Sequence, residues 1–205
     1  MKSVTGFITA GGLSSRMGRD KAWLKLGDKT IIEHIIDALA PVTSNIAIIA
    51  NKSEYSRLGL PLLADANQGV GPLEALRTAL VNSSTPRIIL TGCDLPFVTS
   101  ELFKFLIEFP SDHQAIVPIG PDGMIESLCA VYSTEAEESV AQLIERGERK
   151  VSRLFDLIPT RFVEFGEMGH LHNSEFFFEN INTPEEYKVA VERVERIRKD
   201  SKLHL

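Results

Sequence analysis

Residues 4–40 read VTGFITAGGLSSRMGRDKAWLKLGDKTIIEHIIDALA. The stretch opens on Val4–Thr9, short, apolar and β-branched, the signature of a buried strand. It closes on Ile31, Ile32, Ile35, Ile36 and Leu39, spaced as one face of a helix. Thr30 with Glu33 three residues on forms a capping box that opens that helix. Between the two lies a glycine-rich, basic run. Glycine loses more conformational entropy on folding than any other residue, so Gly11, Gly12 and Gly18 between ordered elements imply a backbone that wraps a ligand. Glycines permit positive φ and let backbone N–H groups converge on an anion. Arg16 and Lys21 add charge, and an arginine can hold two phosphate oxygens at once. The run is neither G-x-G-x-x-G, because Gly11 and Gly12 are adjacent, nor a P-loop, because Arg19 and Asp20 follow Gly18. Strand, phosphate-type loop and helix form the first unit of an α/β fold.

Working outward, the same alternation continues. Strands are expected at 45–50, 87–92, 114–119, 127–133 and 160–165. Helices are expected at 71–82, with proline in the first turn, at 100–109 opened by Ser100, at 134–147, and at 183–200 capped by Thr183 ahead of Pro184. Continuous apolar strands alternating with helices predict a Rossmann-like three-layer sandwich around a mainly parallel sheet. Such sheets bind ligands beyond the carboxyl ends of their strands. The glycine loop, the "ANKSEY" after the second strand and the "GCDLPF" after the third are therefore expected to converge. One domain is expected over 1–198, with 199–205 a frayed tail.

The 205 residues are 43% hydrophobic and 24% charged, with a formal net charge of −6 and a pI near 5.4. That balance argues against a nucleic-acid or anionic-membrane binder. It leaves room for one anionic small molecule, since residues 16–25 carry Arg16, Arg19, Lys21 and Lys25 against Asp20 alone. Cys93 and Cys129 fit no zinc spacing and read as small buried apolar side chains in a reducing, cytoplasmic setting. No signal peptide and no transmembrane helix are expected.

Four further segments carry candidate chemistry. Asp94 follows a buried strand, where it would hold a hard cation such as Mg²⁺ or cap a turn. Asp65 precedes a glycine-spaced loop and a helix N-terminus, placed for ribose, base or a turn. Asn51 ends the second strand. Asn180 and Asn182 flank Ile181 and share one side of an extended segment, facing a ligand or docking the last helix. No Ser-His-Asp or Cys-His arrangement stands out.

The run TAGGLSSRMGRDKAWLKLGDKTIIEHIIDAL closely resembles the pattern A-G-G-x-S-x-R-M-G-x-D-K of the molybdenum cofactor guanylyltransferases, within the wider nucleoside-triphosphate transferase family. GPLEAL, CDLPFV, GERKV and NINTPEEY are similar to later segments of that family in the same order, so the resemblance spans nearly the whole chain. It implies a fold of the nucleotide-diphospho-sugar transferase type. It implies transfer of GMP from Mg²⁺·GTP to molybdopterin cofactor, releasing pyrophosphate. By correspondence, Thr9, Ala10, Gly11 and Gly12 line the nucleotide and Lys21 contacts its phosphates, with Arg16 beside it on the leaving group. Asn51 and Asp65 contact the nucleoside, Asp94 binds magnesium, and Asn180 and Asn182 face the metal and acceptor. Molybdoenzyme apo-proteins or their chaperones are the implied recipients of the product. Where the family commonly has proline-leucine before the "CAVY" strand, this chain has Glu126-Ser127-Leu128; a carboxylate there is expected to be paired or turned away from an anionic acceptor. Two rivals remain: a transferase using CTP or another phosphate acceptor, and a non-catalytic nucleotide-binding adaptor.

Overall fold

A computed structural model describes residues 4–11, 20–64, 71–110 and 112–202. In chain order the strands and helices are β1 (Val4–Thr9), β2 (Lys25–Leu26), β3 (Lys29–Thr30), α1 (Ile31–Leu39), β4 (Asn45–Ile49), β5 (Leu62–Leu63), α2 (Pro72–Val81), β6 (Arg87–Gly92), α3 (Ser100–Glu108), β7 (Ala115–Pro118), β8 (Cys129–Ser133), α4 (Glu137–Glu145), β9 (Thr160–Val163), α5 (Phe165–Met168) and α6 (Pro184–Lys202). Short 3₁₀ turns occupy Lys21–Trp23 and Ser53–Leu58, among others.

Seven strands form one sheet in the order β5-β4-β1-β6-β8-β7-β9. β5, β4, β1 and β6 run parallel, β8 is antiparallel to both its neighbours, and β7 is parallel to β9. The mainly parallel sheet therefore holds, with one reversed strand inside it. The reversal has a simple cause. No helix separates β7 from β8, and a direct loop returns the chain antiparallel, whereas a parallel return needs a crossover.

Alternation along β1 sorts the core. Val4 and Ile8 join Ile48, Ile89, Ile116 and Val131 beneath α1 and α3, where Ile31, Ile35, Leu102 and Phe103 are fully buried. Phe7 joins Ile49, Ile88, Leu90 and Tyr132 beneath α2 and α4, packed on Leu76, Val140 and Leu143. Period-2 strands covered on both faces become apolar throughout, and β6 is buried along its whole length. Each buried Leu, Ile or Phe contributes about 1.5–3 kcal/mol. The Thr30–Glu33 capping box opens α1 as expected. α3 differs by one residue: its N-cap is Thr99, whose hydroxyl accepts from Leu102 N–H at 3.2 Å. At the far end of that helix the Arg87 guanidinium donates to the carbonyls of Ile107 and Phe109, at 2.9 and 3.3 Å. Both cysteines are buried and unbridged. Among the described residues, no helix is long and apolar enough to cross a membrane.

Candidate active site

The register of β1 sets Thr9 between Ile49 of β4 and Gly92 of β6. All three strands thus end at one level. Backbone bonds then knit their exits together: Ala10 N–H donates to Ile49 O at 3.0 Å, and Cys93 N–H donates to Thr9 O at 2.9 Å. The expected convergence of the segments after β1, β4 and β6 follows from this registry.

Gly11 takes φ +81°, and a Cβ there would lie 3.8 Å from Ala50 and 3.9 Å from the Tyr55 ring. The left-handed backbone, more than crowding, asks for glycine at this exit. Thr9 is occupied by the sheet edge, its hydroxyl donating to Thr91 O at 3.4 Å. Asn51 lies two residues past the end of β4 and is exposed. Arg16, Gly12 and Asp65 lie outside the described residues.

The centre of the site is a three-way contact. Lys21 Nζ donates to Asp94 Oδ2 at 2.8 Å and to Asn182 Oδ1 at 2.9 Å. The lysine comes from the 3₁₀ turn after the glycine run, the aspartate from the exit of β6, the asparagine from the approach to α6. Ile181 N–H donates to Asp94 O at 3.0 Å, which pins the asparagine segment against the aspartate. Ile181 is buried and both Asn180 and Asn182 are exposed, the alternation expected of an extended segment. Only Asn182 reaches the lysine–aspartate pair; Asn180 turns to Phe178 O at 3.5 Å.

Gly92 is a site residue that the sequence reading missed. A Cβ there would fall 2.5 Å from Asp94 Oδ1. The Asp94 carboxyl can fold back over the end of β6 only because position 92 has no side chain. The "GCD" spacing carried that signal, but a glycine at a strand end reads equally well as a turn.

Glu126 sits in the loop between β7 and β8, beside Gly120 and Asp122. It is half-buried and not turned fully to solvent. Burial, with the charges of Asp122 and Asp94 adding to it, pushes its carboxyl up to about 7. Of the two expectations, paired or turned away, no pairing cation among the described residues contributes here; the carboxyl instead keeps its proton close to neutrality. Burial, with the Asp94 charge adding to it, pushes the Cys93 thiol up to about 12.

A family model described as the MobA-like NTP transferase domain matches residues 6–161. The chain belongs to the MobA-like NTP transferase family. Among the relatives of this MobA-like chain is a probable molybdenum cofactor guanylyltransferase of Carboxydothermus hydrogenoformans, 34% identical over 92% of this chain and 95% of the relative. A molybdenum cofactor guanylyltransferase of Vibrio vulnificus is 32% identical over 87% of this chain and 90% of its own length. The solved molybdopterin-guanine dinucleotide biosynthesis protein A of Archaeoglobus fulgidus superposes with a TM-score of 0.81 at 22% identity, covering 94% of this chain and 99% of that one. A 2-C-methyl-D-erythritol 4-phosphate cytidylyltransferase of Thermus thermophilus gives 0.69 at 18% identity, over 93% and 98%. The two structural likenesses establish the nucleotidyltransferase fold. The family match ends before Asn182, so tertiary contact is what brings that residue of the MobA-like chain to Lys21 and Asp94.

Proposed function

We propose that the chain is a molybdenum cofactor guanylyltransferase, which transfers GMP from Mg²⁺·GTP to the phosphate of molybdopterin cofactor. The observation that carries this reading is the meeting of Lys21, Asp94 and Asn182 at the carboxyl ends of β1 and β6, in a chain of the MobA-like family.

The donor set fits a hard divalent cation. Asp94 Oδ2 and Asn182 Oδ1 are both oxygens, and they already converge on one cationic centre, the Lys21 ammonium. Among the described residues no group of three His, Cys, Asp or Glu side chains gathers. Mg²⁺ commonly takes one or two protein carboxylates and completes its shell with phosphate and water. Asp94 and Asn182 would hold the ion, and it would supply positive charge that stabilises the charge developing in transfer.

The protein's own groups do the positioning. In the transfer, an acceptor phosphate oxygen bonds to the α-phosphorus of GTP. The bond from that phosphorus to the α,β-bridging oxygen breaks, and pyrophosphate leaves with the electron pair. The attacking phosphate is already ionised, so no strong general base is needed. Both partners are anions, so the work is neutralisation and in-line orientation. Lys21, with Arg16, holds the leaving pyrophosphate. The backbone of Thr9, Ala10, Gly11 and Gly12 lines the nucleotide. Asn51 and Asp65 hold the nucleoside. Asn182, beside Lys21 and Asp94, stands on the acceptor side, with Asn180 on the same segment. The product would pass to molybdoenzyme apo-proteins or their chaperones, in a cytoplasmic setting.

The test is a binding titration of GTP, CTP, ATP and UTP with Mg²⁺, on wild type and Asp94→Ala, followed by assay of pyrophosphate release with molybdopterin cofactor. GTP preference that weakens in the variant supports the reading. CTP preference moves the protein to the cytidylyl branch with its mechanism intact. Nucleotide binding that does not depend on Mg²⁺, with no release of pyrophosphate, leaves the nucleotide-binding adaptor reading in its place.

A further inference from the structure

The Lys21–Trp23 turn is held by two separate handles, and both lead to one buried side chain on another element. The first handle is Asp20. Its Oδ1 accepts from Ala22 N–H at 3.3 Å, which caps the turn. Its Oδ2 accepts from the Tyr55 hydroxyl at 3.0 Å and from Lys52 Nζ at 2.7 Å. The Asp20 side chain is only 9% exposed, so these bonds form in a low-dielectric setting where a charged acceptor strengthens them. The second handle is Trp23, whose ring stacks on Tyr55 with centroids 5.1 Å apart and carries the Arg57 guanidinium over it, 3.8 Å from the ring centre.

Tyr55 is fully buried. Burial pushes its hydroxyl well above the usual tyrosine range, so it stays a hydrogen-bond donor. Lys21 itself lies between the two handles in sequence. Its Nζ points away from them, to Asp94 and Asn182. A long lysine side chain has rotamer freedom to lose when it is aimed, and clamping both sides of its backbone reduces the freedom that remains.

We propose that Tyr55 is a positioning residue for nucleotidyl transfer: through Asp20 and Trp23 it holds the turn that aims Lys21 at the phosphates. Lys52, Tyr55 and Arg57 all belong to the segment that follows Asn51, so one segment serves the nucleoside and the phosphate ends of the nucleotide together. The proposal rests on the reading of Lys21 as a phosphate-contacting residue.

The experiment is a double-mutant cycle on Mg²⁺·GTP affinity with wild type, Tyr55→Phe, Lys21→Met and the double variant, read by calorimetry. Thermal melts of all four report folding. Tyr55→Phe keeps the ring stack and removes only the hydroxyl. It is expected to weaken GTP about fivefold in the wild-type background, the scale of one net hydrogen bond, and to do nothing further in the Lys21→Met background. In steady state it lowers kcat/KM for GTP and leaves KM for the acceptor unchanged. If Tyr55→Phe costs the same with and without the lysine, Tyr55 acts on the fold in general and the proposal is overturned while the reading of Lys21 stands. If Lys21→Met leaves GTP affinity at the wild-type value, both fail together.

Discussion

Asp94 and Glu126 are two carboxyls at one end of the sheet with opposite tasks, and their surroundings set the difference. Asp94 accepts from the Lys21 ammonium at 2.8 Å. Asp94→Asn preserves size and removes the charge, so Mg²⁺-dependent turnover is expected to fall about 10²–10³-fold, the scale of losing one preorganised electrostatic group. Assay of pyrophosphate release against Mg²⁺ concentration checks it. Glu126 is the reverse case. Unfolded, it ionises near its ordinary 4.5; folded, it holds its proton up to about 7. The native state therefore binds the extra proton between those values, and stability falls as pH rises through that window. Glu126→Gln is expected to leave stability unchanged near pH 4. Near pH 8 it should raise stability by about 1 kcal/mol, a figure reduced for partial exposure, or about 2–4 °C in Tm. Equal melting curves for both proteins at pH 8 would contradict this.

At the scale of elements, the end of β6 matters more than its length. Gly92→Ala leaves β6 paired on both sides, but its Cβ falls where Asp94 Oδ1 lies. The carboxyl must shift, and with it the oxygen that accepts from Lys21. A displacement of this size is expected to cost about 10²-fold in turnover, with Tm near wild type. A variant as active as wild type would show that the carboxyl finds the same place by another route. The elements also show what a linear pattern carries. α1 and α6 were legible because caps and helical periods are local: Thr30 with Glu33, and Thr183 ahead of Pro184; in α6 the structure adds Glu186, whose carboxylate accepts from the backbone of Asn182 and Thr183. β5 escaped notice because two residues, Leu62 and Leu63, are too few to display a period. The reversed direction of β8 escaped notice because an apolar run reads the same parallel or antiparallel. Only the absence of a helix between β7 and β8 marked it.

For the whole molecule, ligand binding and stability are coupled. On the proposed reading, Mg²⁺·GTP would draw on groups from the exits of β1, β4 and β6 and from the approach to α6, which only the folded chain brings together. At a hundred times Kd it should add about 2.7 kcal/mol, which is about 5–11 °C in Tm for a chain of this size. Asp94→Ala should remove most of that shift, and thermal scans with GTP, CTP and EDTA read it directly. By itself the sequence determined the α/β class, the position of most elements and the family, because capping, periodicity and glycine spacing act over a few residues. It also placed Lys21, Asp94 and Asn182 as separate candidates. Their union was a tertiary decision. Lys21 meets Asp94 across 73 positions of chain and Asn182 across 161, and no local pattern encodes a contact at such separations. Strand registry and the packing of α6 supply it. The same holds for Tyr55 beneath the lysine's turn and for the raised carboxyl of Glu126: burial and charge proximity are properties of the folded volume, and they come into being only when the sheet closes its layers.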